Sequence, residues 1–478
     1  MNDSQYFNFS LRPQQKKAFD TICSFVDNPD FKVFILKGYA GTGKTSLMSG
    51  LIRKFQEEKK LFVLLATTGR AAKILSDKTG NIAKTVHSCI YDFNKINEDL
   101  EALSKIQDRI DVDDTGQIRL IFDMHPIVSS EEIVYIVDEA SMMSDKETKN
   151  TSFAKFGSGD LMGDLLKYDS KGKFIFVGDP CQLPPIEQSF SPALNPDYIQ
   201  KKSQLKADSF ELTDIVRQDK DNGIVAASLR LRQLYKTNPP VNYAKLPVKG
   251  YSNITLHSSH INLLNRYLHL IKDRNYECAT MICQTNNQCL EINNNVRDVI
   301  HNKPSGLVVG DLLMVTQNNY MVPLVNGDQV IVTGIGKREY RANLSFLYVR
   351  VMDLVEKKEY TLPMVEDLLY SKIANLNEFQ HKKLMIDFYL RMKKLGIKQN
   401  QPQFNDAMMK DPYLNALKAG YGYALTCHKS QGGEWNDVFL YLDNKIHGLS
   451  KPGIYQWWYT AITRAKNNLY VVNDWFVV

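Results

Sequence analysis

The segment GYAGTGKT, residues 38–45, contains the residues with the clearest chemistry in this chain. It matches the pattern G-x-x-x-x-G-K-[ST] of a phosphate-binding loop. Glycines let the backbone wrap closely around a polyphosphate, and the start of a helix supplies unpaired N–H groups and a positive dipole end. We therefore predict that this phosphate loop binds a nucleoside triphosphate and Mg²⁺ through Gly38, Gly41, Thr42, Gly43, Lys44 and Thr45.

An acidic pair follows the apolar run 133–137 in IVYIVDEASMM. In such a pair at the end of a strand, downstream of a phosphate loop, one carboxylate binds the metal ion and the other activates water. Asp138 is expected to share Mg²⁺ with Thr45. Glu139 is expected to orient and deprotonate the attacking water.

Three further residues have side chains suited to the terminal phosphate. Gln182, in FIFVGDPCQLPPI, follows a predicted strand and can sense the γ-phosphate. The other two are Arg217 and Arg464, the latter in a predicted helix before strand 469–472. The planar guanidinium group of arginine matches the geometry of phosphate oxygens. Each arginine alone could be a surface ion pair. Together, from opposite ends of the chain, they predict a site that closes between two domains.

Polar residues also follow other predicted strands, where open α/β sheets place their ligands. Hydroxyl groups there can bind a nucleic-acid backbone or merely cap the next helix, and a lone histidine such as His87 is usually structural. The motifs are TTGR, KTVH, QTNN and TCHK, which contain the candidates Thr67, Thr68, Thr85, His87, Thr285, Asn286, Thr426, His428 and Lys429.

The elements around these motifs alternate between strand and helix. A strand at 33–36, the phosphate loop, a helix at 46–55 and a strand at 61–65 form a βαβ unit, which predicts a parallel sheet. The segment ATMICQTNNQCLEINNNVR repeats this layout, which predicts a second domain of the same kind.

Three stretches depart from this alternation. Residues 94–130 contain two strand-like pieces around Asp114, Thr115 and Gly116, which indicate either a projecting hairpin or a disordered insertion. Residues 308–350 alternate like a small β-barrel, with turns predicted at 326–328 and 334–336. Residues 366–418 are predicted to be helical and lysine-rich, either a nucleic-acid path or, by default, a solvated charged face.

Composition limits the function only loosely. Lys and Arg total 59 against 53 Asp and Glu, a net charge of +6 that permits a polyanionic partner without demanding one. We see no signal-peptide pattern and no membrane-spanning run, and seven cysteines suit a reducing compartment. We expect a cytoplasmic protein of a bacterial or phage-infected cell, with no membrane partner.

The motifs GYAGTGKT, VDEASM, GDPCQLPP, ALTCHKSQGGEW and YTAITRAK, in this order, resemble superfamily 1 helicases. The similarity is greatest to superfamily 1B, the 5′-to-3′ branch that includes RecD and the phage Dda helicase. This resemblance implies an ATP- and Mg²⁺-dependent DNA helicase that moves along single-stranded DNA and unwinds forked duplexes, working as a monomer, with single-strand-binding or replication proteins as further partners.

The resemblance also assigns roles to residues. Gln15 would read adenine, although locally it reads as a solvated helix-start residue. Gly433 and Glu434 would meet the γ-phosphate and ribose. The hairpin at Asp114 to Gly116 would be a strand-separating pin. Lys44, Thr45, Asp138, Glu139, Gln182, Arg217 and Arg464 would form the ATPase site, and Thr67, Thr68, His87, Thr285, Asn286, Thr426, His428 and Lys429 would track single-stranded DNA.

The fold class implied is α/β, with two RecA-like P-loop domains. We expect the pin subdomain inserted in the first, and an SH3-like barrel plus a tower-like helical insertion in the second. The expected bounds are 1–87 and 131–220 for the first RecA-like domain and 88–130 for the pin subdomain. The second RecA-like domain is expected at 221–308 and 420–478, and the barrel with its helical insertion at 309–419. Two alternatives remain: an RNA helicase or remodeller, and a translocase on single-stranded DNA that does not unwind.

Overall fold

The computed structural model describes residues 3–106, 118–127, 129–146, 153–216, 222–371 and 375–478. The predicted pin turn, Asp114 to Gly116, and the predicted catalytic Arg217 lie outside these ranges. None of the described helices is both long and apolar enough to cross a membrane.

The described strands and helices largely follow the predicted alternation. The strands are β1 Val33–Gly38, β2 Phe62–Ala66, β3 Ala83–Thr85, β4 Tyr91–Ile96, β5 Leu120–Met124, β6 Val134–Asp138, β7 Ala154–Phe156, β8 Lys173–Gly178, β9 Ala207–Leu212, β10 Ile254–His257, β11 Ala279–Cys283, β12 Leu312–Val315, β13 Gln329–Arg341, β14 Leu344–Asp353, β15 Glu359–Val365, β16 Ala419–Tyr421, β17 Ala424–Thr426, β18 Trp435–Tyr441 and β19 Ala465–Val472. The α-helices are α1 Pro13–Asp27, α2 Lys44–Glu57, α3 Gly69–Thr79, α4 Val86–Ile90, α5 Leu100–Ile106, α6 Leu161–Tyr168, α7 Pro196–Ser203, α8 Gly223–Thr237, α9 His260–Ile271, α10 Asn286–Ile300, α11 Glu378–Lys394, α12 Pro402–Met409, α13 Cys427–Ser430 and α14 Gly453–Ile462.

The first half of the chain builds a six-stranded parallel sheet in the order β3-β2-β6-β8-β1-β9. Strand β1 is buried on both faces, since Phe34 and Leu36 pack against α1 and α2 while Val33 and Ile35 join the core on the other side. Double burial explains why these strands are continuous apolar runs. The predicted parallel α/β fold is confirmed.

A second parallel sheet has the order β10-β19-β18-β11-β17. Its core contains α14, in which Trp457 and Trp458 are almost fully buried. Both rings therefore belong to the core of this sheet. The layout repeated around 279–292 therefore does belong to a second sheet of the same kind.

The barrel-like segment forms a five-stranded sheet in the order β15-β14-β13-β12-β16, with antiparallel neighbours. The turn predicted at 334–336 is wrong, because these residues lie within β13 at register shifts against β14. The chain reverses instead at Ala342 and Asn343, whose φ angles are +50° and +61°. Positive φ at both central residues is the mark of a type I′ hairpin turn. The SH3-like character stays a prediction.

A small sheet in the order β4-β5-β7 carries the residues around the predicted pin. Strand β5 pairs with β4, at 91–96, in antiparallel fashion. Helix α11 of the helical insertion packs Met385 and Phe388 into the same core as Leu100 and Leu103. Gln399 ties the two parts together, since its Oε1 accepts from Leu100 N at 2.9 Å and its Nε2 donates to the carbonyl of Glu98 at 2.8 Å.

Candidate functional site

A cleft of about 700 Å³ lies where the two parallel sheets face each other. It gathers residues from both halves of the chain. The first sheet supplies the carboxyl ends of its central strands, where open α/β folds bind ligands. The second supplies the turns around β18 and α14. Among the lining residues are Lys44, Thr45, Asp138, Glu139, Gln182, Gly432, Glu434, Trp435 and Arg464.

The phosphate loop forms the floor of this cleft. Gly43 has a φ of +84°, and α2 begins directly after it. The Lys44 ammonium donates to the carbonyls of Gly38 at 2.6 Å and Tyr39 at 3.1 Å. A Cβ on Gly38 would lie 2.8 Å from Lys44 Cγ, so a side chain there would fill the cradle. The loop is thus shaped for a phosphate chain.

Gln15 braces the phosphate loop from behind. Its side chain is 2% exposed, which shows that the alternative of a solvated helix-start residue is wrong. Its Nε2 donates to the carbonyl of Thr42 at 3.3 Å, and its Oε1 accepts from the backbone N of Arg12 at 3.2 Å. The role of Gln15 in reading adenine stays a prediction.

The acidic pair lies at the end of β6, beside the phosphate loop. Asp138 Oδ1 accepts from the backbone N of Glu139 at 2.9 Å, and Glu139 adopts a left-handed φ of +52°. Burial raises the pKa of both carboxyls, and the Asp138 charge raises the pKa of Glu139 further. A carboxyl with a raised pKa at this position suits a general base.

Two residues without a predicted role connect the halves at this point. Asp179 is fully buried, and burial raises its pKa. It accepts a hydrogen bond of 2.7 Å from the hydroxyl of Tyr459, which in turn accepts from the backbone N of Ala40 in the phosphate loop at 3.0 Å. The motifs GDPCQLPP and YTAITRAK contain both residues, but nothing in their spacing shows that they meet.

Gln182 lies in the same joint. It is 5% exposed, and within the described ranges its Oε1 has no hydrogen-bond partner. The loop that carries it is held by the second half, since Thr460 Oγ1 accepts from Leu183 N at 2.9 Å and Gln431 Nε2 donates to Leu183 O at 3.2 Å. A buried amide oxygen that has no hydrogen-bond partner and lies at a cleft is available to bind a ligand.

Arg464 was predicted in a helix, but α14 ends at Ile462 and the arginine lies in the turn before β19. Its guanidinium is 4% exposed. Nε donates to the carbonyl of Thr460 at 3.0 Å, and Nη1 donates to that of Gly433 at 3.3 Å. These backbone acceptors hold the guanidinium in the wall of the cleft that the second half of the chain supplies.

The strand-end candidates lie at two edges. Strands β2 and β3 are neighbours in register, with Ala66 beside Thr85, which places Thr67, Thr68 and His87 at one edge. In the second sheet Cys283 pairs with Thr426. This register brings together Thr285, Asn286, Thr426, His428 and Lys429, of which Thr285, Asn286 and His428 are exposed.

Three of these threonine hydroxyls are helix caps. Thr68 accepts from Ala71 N at 3.2 Å, Thr85 from Ser88 N at 3.1 Å, and Thr285 from Gln288 N at 3.2 Å. The capping alternative is therefore correct for these residues, and it leaves a contact with nucleic acid as a prediction. Thr67 differs, since its hydroxyl donates to the carbonyl of Glu139 at 3.0 Å.

His87 packs among aromatic rings, edge-on to Phe156 with centroids 5.1 Å apart. Burial lowers its pKa to about 4, so the imidazole is neutral near pH 7. Across the described ranges, no three His, Cys, Asp or Glu side chains are grouped so that they could hold a metal ion. A Mg²⁺ at Thr45 and Asp138 would instead share its ligands with the nucleotide.

Comparisons with known proteins agree with this architecture. A family model described as an AAA domain matches residues 10–238, and one described as a UvrD-like helicase C-terminal domain matches residues 421–472. A solved structure of Pif1 helicases on forked double-stranded DNA superposes with a TM-score of 0.51 at 15% identity, covering 98% of this chain and 94% of that one. The fold is that of helicase-like P-loop ATPases.

Two relatives align along nearly the whole chain. The ATP-dependent DNA helicase dda of Enterobacteria phage T4 is 24% identical over 488 residues, covering 97% of this chain and 99% of its own. The uncharacterized protein MJ1519 of Methanocaldococcus jannaschii is 25% identical over 470 residues, covering 92% of this chain, which spans only 36% of MJ1519. These matches confirm the resemblance to superfamily 1B helicases that the motifs predict.

Proposed function

We propose that this protein is an ATP-dependent DNA helicase that moves 5′ to 3′ along single-stranded DNA and separates forked duplexes. The observation that carries the proposal is the cleft itself. It brings Lys44 and Glu139 of one sheet and Arg464 of the other to the same space. A nucleotide bound there would contact both sheets, so that its hydrolysis would change how they face each other.

In the proposed reaction the residues act on ATP in sequence. Lys44 moves from its own loop carbonyls to the outer phosphates. Glu139 takes a proton from the water that attacks the γ-phosphorus, while the bond from that phosphorus to the bridging oxygen breaks and ADP leaves. Gln182 orients that water or the γ-phosphate, while Arg464 stabilises the charge that develops during transfer. Thr45 and Asp138 would hold Mg²⁺, which neutralises phosphate charge when it is bound.

Single-stranded DNA would lie across both strand-end edges, because the register of each sheet aligns its candidates in a row. Thr67 connects the edge of the first sheet directly to the cleft, since its hydroxyl donates to the backbone carbonyl of Glu139, the proposed general base. Contacts to phosphates carry little sequence preference. We propose that residues 114–116, where the sequence predicts a turn, act as the pin that splits the duplex.

Unwinding of tailed duplexes tests the proposal. We expect ATP-dependent separation of 5′-tailed duplexes and little separation of 3′-tailed ones, together with an ATPase rate that rises strongly with single-stranded DNA. Preference for 3′ tails would refute the polarity. Stimulation by RNA alone would favour an RNA helicase, and stimulation without strand separation would favour a translocase that does not unwind.

A further inference from the structure

Arg70, in the first turn of α3, is buried without being paired. Its side chain is 9% exposed, and among the described residues Nε and Nη1 have no hydrogen-bond partner. Its guanidinium lies 4.5 Å from the centroid of the Trp435 ring. Trp435 begins β18 and so belongs to the second sheet. A cation–π contact offsets part of the cost of burial, but it leaves the two N–H donors unsatisfied.

A second guanidinium, that of Arg464, lies near the same residue of the second half, Gly433. A Cβ placed on Gly433 would lie 2.9 Å from Arg70 Cζ, while Arg464 Nη1 donates to the Gly433 carbonyl. Burial, with a smaller contribution from the charge of Arg464, lowers the pKa of Arg70 to about 10. Two like charges brought together in this way call for an anion between or beside them.

No carboxylate among the described residues forms a salt bridge with Arg70. The nearby Asp328 and Asp353 raise its pKa, but both are held by Lys73, whose Nζ lies 2.6 Å and 3.0 Å from their Oδ2 atoms. Lys73 is therefore a fully paired cation one turn along the same helix. Asp328 Oδ1 has no hydrogen-bond partner in the described part of the chain, yet it forms no salt bridge with Arg70, so the described contacts supply no anion for this guanidinium.

We propose that Arg70 binds the terminal phosphate of the nucleotide, from the α3 side of the cleft and beside Arg464. This inference rests on the proposed ATPase function. It fits the position of Arg70, which lines the cleft together with Lys44, Glu139 and Arg464. It would also link the nucleotide site to the DNA site, because α3, which carries Arg70, is capped by Thr68, a candidate contact to single-stranded DNA.

The variant Arg70→Met gives the proposal a distinctive signature. Methionine keeps an extended side chain against Trp435 and removes an unpaired buried charge. Without nucleotide, its melting temperature should equal or exceed that of the wild type. The matched control is Lys73→Met, which leaves Asp328 and Asp353 buried without their cation, so its melting temperature should fall.

Binding to the full chain is then measured with ADP and with adenylyl imidodiphosphate, a non-hydrolysable ATP analogue. We expect Arg70→Met to lose about tenfold or more in affinity for the triphosphate analogue, as for a lost charge-assisted bond, with ADP affinity nearly unchanged. Arg70→Lys should recover part of the loss. Lys73→Met should keep the wild-type ratio of the two affinities.

An unchanged ratio in Arg70→Met would overturn the inference and leave Arg70 as packing for Trp435. If that variant did not fold, the same ratio measured in Arg70→Gln would decide the question. Failure of the proposed function looks different, since wild-type protein would then bind neither nucleotide or Lys44→Ala would still hydrolyse ATP.

Discussion

The nucleotide cleft and the strand-end edges are built from similar polar residues that are satisfied very differently. In the cleft, Gln182 Oε1 and two nitrogens of Arg70 have no partner within the described chain, and burial raises the pKa of Asp179. At the edges, Thr68 and Thr285 already accept backbone N–H groups as helix caps. The named amide and guanidinium groups of the cleft are thus unpaired, whereas the named hydroxyl groups of the edges are bonded.

This difference separates residues held for a ligand from residues that hold the fold. An unsatisfied buried group costs stability, and proteins keep such groups mainly where function uses them. A capping hydroxyl contributes to stability whether or not DNA is present. Substitutions in the cleft should therefore change chemistry more than stability, and substitutions of the caps should do the reverse.

The largest effect is expected for Lys44→Ala. Loss of the ammonium removes the charge that would meet the outer phosphates, so ATP hydrolysis should fall by about 10²–10³-fold or more. The measurement is the steady-state ATPase rate with saturating single-stranded DNA. Stability should change little, because Lys44 otherwise bonds only carbonyls of its own loop. Retained turnover would remove the phosphate-loop assignment.

Glu139→Gln should come next. It keeps the shape and removes the proposed base, which predicts a fall of about 10²-fold or more in turnover with nucleotide binding preserved. Because Glu139 lies beside the Asp138 carboxylate, loss of its charge should also leave the melting temperature equal or raised. A variant that hydrolyses ATP normally but melts earlier would break the contrast between the regions.

The pH dependence of stability tests the role of His87 at the edge of the first sheet. Its folded pKa of about 4 lies below the ordinary value of 6.5, so the fold favours the neutral ring. Stability should be constant above pH 6.5 and should decline on acidification towards pH 4, by about 1–2 kcal/mol at pH 5. Urea melts of wild type and His87→Phe at pH 7 and pH 5 measure it. An equal loss in both proteins would contradict this assignment.

The smallest effect is expected for Thr285→Ala. Removal of the cap should cost about 1 kcal/mol of unfolding free energy, and Thr285→Ser should restore it. ATP hydrolysis without DNA should be unaffected. Affinity for single-stranded DNA, measured by fluorescence anisotropy, sharpens the comparison, since a large loss of affinity with unchanged stability would make Thr285 a residue for DNA and not for the fold.

Local residues were enough to predict much of this protein. The phosphate loop, the strand that ends at Asp138 and the βαβ alternation each depend on neighbours in sequence, because burial pattern, glycine geometry and helix starts are short-range properties. The turn at 334–336 was misplaced because glycine signals a bulge as well as a turn. The resemblance to superfamily 1B also rests on short motifs and on their order along the chain.

Tertiary structure decided which of those residues meet. The bond from Tyr459 to Asp179, the contact of Arg70 with Trp435 and the pairing of Lys73 with two aspartates each join segments far apart in the chain. No local pattern specifies such partners, since they follow from how strands are ordered and domains are packed. Whether a polar atom is satisfied depends on those partners, so the sequence determined the chemical groups, and only the fold decided which of them were left free for a ligand.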